Sequence, residues 1–323
     1  MLEGFDFGTP KIASQLTGAL AGLRHYNALP IPPAYFFEAM ERLRGRYLNV
    51  PLTAVLHPAS FSAQRAATEQ KAAAGAAPAV QEEELTAQQW FERGLAAADV
   101  DEKVRFYSEA IRLKPDYAEA FNNRGLARYH NGDLGGALQD YDEAIRLRPG
   151  DALAFSNRGN ARRDKRDVAG ALRDYNEAIR LKPNDADAFI NRGLTRYYKE
   201  DVEGALQDYD EAIRLKPDYA GAFNNRGNAR RAKGDMEGAL QDYNEAIRLK
   251  ADFGFAINGR GVARRAKGDV EGAVQDFTEA IRLNPEDAIA FYNRSLARRD
   301  QGDVKGAQQD YDEAIRLGYK PKG

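Results

Sequence analysis

Along residues 118–151, apolar and small side chains recur at helical spacing in two runs, and the whole pattern returns every 34 residues. The first run carries Ala120, Phe121, Gly125, Leu126 and Ala127, and the second Leu134, Ala137, Leu138, Tyr141, Ala144, Ile145 and Leu147, so each unit predicts two helices. Gly132-Asp133 separates them: the glycine tolerates the left-handed conformation that ends one helix, and the aspartate can cap the amides that open the next. Pro149 is expected to stop the second helix. Gly125, Ala137 and Ala144 mark where the helices approach closely, with Phe121 and Tyr141 as bulkier partners. Five further copies begin at Ala152, Ala186, Ala220, Gly254 and Ala288. A single hairpin cannot bury both of its apolar faces, so the copies must stack into a solenoid held by nearest-neighbour contacts.

The flanking sequence departs from this period. Residues 1–57 predict a small helical segment, one helix opening at Thr9-Pro10 with Ile12, Leu16, Leu20 and Leu23 on one face, another near Pro33 with Phe36, Met40, Leu43 and Tyr47. Such a segment suits a docking unit or the remnant of a larger domain better than an autonomous catalytic domain. Residues 58–84, with KAAAGAAPAV, read as an Ala-rich linker. Residues 85–321 then form seven repeats, the first irregular: three residues are missing between Arg93-Gly94 and Glu109-Ala110, which predicts a tighter turn. Trp90 and Phe91 are expected to bridge the array to the preceding helices. Arg166 and Glu200 replace the turn glycine, at a cost on the order of 1 kcal/mol each if the positive φ is kept. Gln308 stands where earlier repeats carry Leu138, Leu172, Leu206, Leu240 and Val274, as a capping repeat and a natural end to the array would require.

Phe121, Gly125, Ala137, Tyr141, Ala144 and Pro149 together resemble the signature of the tetratricopeptide repeat (TPR) family, at its spacing and six times over. The resemblance implies an all-α fold, a right-handed superhelical solenoid whose first helices line a concave surface. Single copies depart from it at Ile257, Ser295, Ala251 and Tyr319, which should weaken individual contacts without changing the fold. Arg124 and Arg128 stand where the family has leucine and tyrosine. A second resemblance, of the stretch LEGFDFGTPKIASQLTGALAGL around residues 3–24 to the closing strand and helix of a TIR-type signalling domain, has no sharp motif and transfers no catalytic residue. It implies an alternative in which the array is the accessory region of a signalling or defence protein.

Arg124, Arg158, Arg192, Arg226, Arg260 and Arg294 are each followed sixteen residues later by Asp140, Asp174, Asp208, Asp242, Asp276 and Asp310. An ion pair between the two helices of each hairpin explains this register better than a ligand role does.

The TPR resemblance implies that partner choice lies with variable inner-face residues: Asn122, Tyr129 and His130, then Asn160 and Arg163, then Asn191, Tyr197 and Tyr198, then Asn224, Asn228 and Arg231, then Asn258 and Arg265, and last Tyr292 and Arg299. The lining is aromatic in its first half and arginine-rich in its second. Asparagines can bond an extended backbone and arginines can grip carboxylates, so the expected partner is a protein or peptide with an acidic segment. A solvated arginine ladder neutralised by neighbouring acids accounts for the same residues. Asn160 and Asn191 match two positions of the family's chaperone-type carboxylate clamp, but Ser156, Gly221 and Asn225 stand where its cations belong, so no such clamp is expected.

Composition narrows the classes further. The 323 residues carry 47 Lys and Arg against 49 Asp and Glu, a net charge of −2 that weighs against general nucleic-acid binding; single-stranded RNA, held by arginine and tyrosine, is the competing ligand class. Absence of cysteine excludes disulfides, thiol catalysis and cysteine-ligated zinc. No apolar run suits a transmembrane helix and the start lacks a secretory pattern, so the expected location is cytoplasmic. The three histidines are dispersed, and no phosphate-binding loop occurs. The Asp-x-x-Glu pairs recur beside arginines like scaffold, so neither an enzyme nor a bound cofactor or metal is expected.

Overall fold

The computed structural model describes residues 85–320, and within them every regular element is an α-helix. Seven hairpins follow in order: α1 (Ala87–Ala96) with α2 (Val100–Leu113), α3 (Ala118–His130) with α4 (Leu134–Leu147), α5 (Ala152–Asp164) with α6 (Val168–Leu181), α7 (Ala186–Tyr198) with α8 (Val202–Leu215), α9 (Ala220–Ala232) with α10 (Met236–Leu249), α11 (Gly254–Ala266) with α12 (Val270–Leu283), and α13 (Ala288–Asp300) with α14 (Val304–Arg316). The repeat solenoid expected from the sequence is the fold. The helices expected near Thr9 and Pro33, the linker and the stretch behind the second resemblance lie outside the described residues.

Each second helix opens on a capping aspartate. Asp133 accepts from the Gly136 amide at 2.8 Å, and Asp167, Asp201, Asp235, Asp269 and Asp303 repeat the bond. A Cβ at Gly136 would collide with that carboxylate and come within 3.0 Å of Arg128 Cδ, so the cap and the arginine crossing it together require a glycine. Repeat one has no arginine at that place, and there Asp99 caps Glu102 instead, at 3.0 Å.

The turns confirm one expectation and correct two. Gly132 has φ 81°, and Arg166 and Glu200 hold the same left-handed conformation at 66° and 68°. Each lacks the freedom of glycine there, so Arg166→Gly and Glu200→Gly are expected to stabilise the array by about 1 kcal/mol each, read as an upward shift of the urea midpoint. The first repeat does not have a tighter turn. Its two helices are still linked by residues 97–99, as those of repeat two are by 131–133; the missing residues come from α1, with 10 residues against 13 in α3. Nor does proline set where the second helices end: α10 stops at Leu249 before Lys250 (φ −144°) with Ala251 following, just as α4 stops at Leu147 before Arg148 (φ −136°) with Pro149 following.

Packing follows the small-to-large pairing. Tyr141, Tyr175, Tyr209, Tyr243 and Phe277 are wholly buried, each against the glycine of its own first helix, so that a Cβ on Gly125 would lie 2.8 Å from the Tyr141 ring. The same rings reach the next hairpin, where Tyr141 meets Ala161 and Tyr209 meets Ala229. Trp90 and Phe91 pack into the array itself: their rings lie 5.6 Å from Phe106 and 5.0 Å from Tyr117, respectively, between ring centroids. From repeat two onward, the first helices of successive hairpins also touch one another, whereas the second helices do so far less. Within the array, the side formed by the first helices is therefore the inner, concave one.

Candidate protein-binding groove

The inner face depends on how firmly the first helices are held, and arginine does much of the holding. Arg124 donates from Nε and Nη2 to both oxygens of Asp140, at 2.9 and 2.6 Å, and Arg128 adds a third bond from Nη1 at 2.8 Å. This arrangement, two guanidinium groups on one aspartate, recurs at Asp174, Asp208, Asp242, Asp276 and Asp310. All six aspartates are buried. The register noted in the sequence is thus an interhelical ion pair, and its second guanidinium, from Arg128 and its counterparts, was not anticipated.

The same first arginine also reaches back to the preceding hairpin. Nη1 of Arg158, Arg192, Arg226 and Arg260 donates to Asp142, Asn176, Asp210 and Asn244 at 2.7 to 2.9 Å, and Arg124 and Arg294 meet Ser108 and Thr278 at 3.0 and 3.2 Å. Burial alone would lower the Arg158 guanidinium, but Asp174 and Asp142 hold it above its ordinary value. The sequence signal for this stitch is an oxygen-bearing acceptor sixteen residues before each arginine, on the opposite side from the aspartate.

The asparagines among the expected site residues are largely engaged within the array. Asn122 and Asn224 are 4% and 7% exposed; Asn122 accepts from Asn157 at 3.0 Å, and Asn258 accepts from Asn293 at 3.1 Å. Asn160 and Asn228 accept from the hydroxyls of Tyr175 and Tyr243 at 2.9 and 2.8 Å. Burial pushes Tyr175 up to about 12. The asparagine does not accompany every buried phenol: Leu126 and Leu194 stand at this place before Tyr141 and Tyr209, and the Tyr141 hydroxyl is buried without a partner. Asn191 is half-buried, and there the bond is to the main chain: its backbone carbonyl accepts from Thr195 Oγ1 at 2.7 Å.

The aromatic residues divide. Tyr129 donates to Asp164, and its ring lies edge-on to the exposed His130. Tyr197 is half-buried and packs near Tyr209, while its edge-to-face neighbour Tyr198 is 73% exposed. Tyr292 stacks on Tyr319 with ring centroids 4.1 Å apart, so the residue in place of the final proline covers the last first helix.

The inner arginines divide as well. Arg163 pairs with Asp164 at 3.1 Å, and Arg265 with Asp300 at 2.6 Å. Part of the ladder is therefore neutralised from within. Arg231 is half-buried beside Tyr243, and Arg299 is exposed; among the described residues neither has a carboxylate partner. Among those residues no cluster of acidic or histidine side chains is gathered to hold a metal, and no helix is long and apolar enough to cross a membrane.

Comparison with known proteins agrees with this architecture. A family model described as TPR repeat matches residues 159–197 and 193–230, and two described as Tetratricopeptide repeat match 104–152 and 258–318, and 220–253. Tetratricopeptide repeat protein 36 of Mus musculus is 44% identical over 48 residues, 15% of this chain and 26% of the mouse protein. The match thus spans about a quarter of that relative. A tetratricopeptide repeat protein from Parabacteroides merdae ATCC 43184 aligns with a TM-score of 0.60 at 19% identity, over 72% of this chain and 94% of its own. A chain of the APC/C hetero-tetramer Cut9-Hcn1 gives 0.61 at 14% identity, over 72% of this chain and 48% of its own, and pilF of Pseudomonas aeruginosa 0.57 at 18%, over 62% and 91%. These structural likenesses bear on the fold alone. With the repeat models matched through nearly all of residues 104–318 and the helical hairpins they describe in place, the chain belongs to the tetratricopeptide repeat family of protein-interaction scaffolds.

Proposed function

We propose that the inner face of the first helices binds an extended, acidic segment of a protein partner, without catalysis. The observation that carries this reading is the division among the arginines. The twelve that hold the six buried aspartates are committed to the scaffold, and Arg163 and Arg265 are matched by Asp164 and Asp300, while Arg231 and Arg299, at the equivalent positions of their first helices, have no acid of the described residues upon them. A partner's carboxylates supply the missing charge, each aligned guanidinium contributing about 1–3 kcal/mol when partly desolvated. Tyr198 and the other inner tyrosines add apolar contact and orientation.

Replacing Arg231, Arg265 and Arg299 together by glutamine is expected to weaken partner capture from a lysate at least about tenfold and to flatten its dependence on salt. Capture by the folded triple variant equal to that of the parent protein, with the same salt dependence, would remove the arginines from the binding surface. Recovery of RNA in place of protein would overturn the partner class.

A further inference from the structure

Residues 35 apart on successive first helices face each other across the groove: Asn157 donates to Asn122, Asn293 to Asn258, Tyr129 to Asp164, and Arg265 to Asp300. In the last pair the arginine uses Nε, at 2.6 Å from the carboxylate. Applied to Arg231, the same offset reaches Ala266, which has no acid to offer. The Arg231 guanidinium bonds the Tyr243 side chain, but its Nε is buried with no hydrogen-bond partner. Tyr197 likewise faces Ala232 at this offset, so the two alanines follow one another where repeats three and seven carry Asp164 and Asp300.

We infer that Arg231 is the anchor of the groove, and that it takes an aspartate or glutamate side chain of the bound segment in the place that Asp300 fills for Arg265. The inference rests on the reading of the inner face as a peptide groove and assigns the residue that fixes the ligand's register. The scaffold shows what this arginine geometry does when an acid is present: every guanidinium on the six aspartates lies at 2.5 to 3.1 Å from a carboxylate oxygen. Asn224, two helical turns before Arg231 on the same face of α9, has its Oδ1 buried without a partner. That acceptor suits a backbone N–H about 10 Å along the helix from the anchoring acid, a separation that roughly three residues of extended chain span. A polypeptide carries both groups at that spacing, and a small anion does not. A side-chain carboxylate is specified, since both contacts fall within a continuous segment.

Ala266→Asp supplies the missing acid from within. The substitution copies Asp164 and Asp300, leaves Arg231 in place, and is expected to keep the array folded. The test pans a displayed library of random ten-residue segments, each embedded in a longer chain so that no terminal carboxylate is free, on the full-length protein. One selected segment, synthesised with a fluorescent label and amidated C-terminus, is then titrated against the parent protein, Arg231→Gln and Ala266→Asp. The expected result is selection of segments with Asp or Glu at one fixed position, and binding at least about tenfold weaker to both variants, with thermal melts close to that of the parent. Selected segments without an acid, or equal binding to the folded Ala266→Asp variant, would overturn the assignment. Acidic segments whose binding falls only with Arg265→Gln or Arg299→Gln leave the groove reading standing and remove Arg231 as its anchor; a library that yields no segment at all overturns both.

Discussion

Replacing Asp208 by alanine is expected to destabilise the array by about 3–5 kcal/mol, because it leaves Arg192 without a carboxylate and Arg196 with only the half-exposed Asp201, 3.6 Å away. Asp208 is 2% exposed and holds Arg192 Nη2 at 2.5 Å and Arg196 Nη1 at 2.9 Å. Removing Arg196 alone is expected to cost less, since Arg192 still satisfies the carboxylate through Nε and Nη2. Across the hairpin, a double-mutant cycle over Arg192 and Asp208 is expected to give a favourable coupling well above measurement error. Position matters too. Repeat four lies in the middle of the array, so its weakening is expected to split a single urea transition into two, whereas the same change at Asp310 should chiefly fray the last hairpin. A loss under about 1 kcal/mol at Asp208 would show that the pairing adds little to the packing of the hairpin.

Raising the pH should unfold the protein through its buried phenols. Tyr141, Tyr175, Tyr209 and Tyr243 are at most 1% exposed, and burial pushes each above the ordinary tyrosine value of 10.0, Tyr175 to about 12. Below pH 10 these groups are neutral in both folded and unfolded chains and their full contribution to the fold is present. As the pH rises from 10 toward 12, the unfolded chain releases their protons while the folded chain retains them. Stability therefore falls, by up to about 1.4 kcal/mol per pH unit for each tyrosine that unfolds in the same cooperative step. Urea midpoints measured at intervals between pH 8 and 11.5 test this, with the four tyrosines replaced by phenylalanine as the comparison. Repeat six already carries Phe277 at this place, so the ring is compatible with the packing. The phenylalanine variant is expected to start lower at pH 8, by about 1 kcal/mol for each hydroxyl bond lost to Asn160 and Asn228, and to decline less steeply above pH 10. Equal slopes would place the alkaline sensitivity elsewhere.

The parts of this molecule legible in its sequence are those that repeat. The hairpin boundaries, the stacking of neighbouring units and the pairing of Arg124 with Asp140 each recur at one period, and six copies of a spacing constrain what one copy leaves open. The second arginine on each aspartate escaped because it crosses to the carboxylate over the capped start of the next helix, a relation that spacing alone does not reveal. The shortened first repeat escaped for a related reason: counting shows that three residues are missing, while only the helix ends show that α1 lost them and the turn did not. On the inner face the obstacle was the offset. Aligning the units by their period sets Arg265 beside Arg299, yet its carboxylate partner lies one residue further, at Asp300. Asparagines that resembled free ligand contacts, Asn160 and Asn228, turn out to answer phenols in their own hairpins.

The most direct test of the account is to ask which face a partner touches. A photo-crosslinking amino acid is placed at Tyr198, exposed at the end of first helix α7, and in a separate protein at Arg173, exposed on second helix α6. Both proteins are folded in a lysate, irradiated and recovered. The account predicts that crosslinked protein partners appear from position 198, that they disappear when Arg231, Arg265 and Arg299 are glutamine, and that position 173 yields none of them. The same partners crosslinked from position 173, with nothing from position 198, would contradict it.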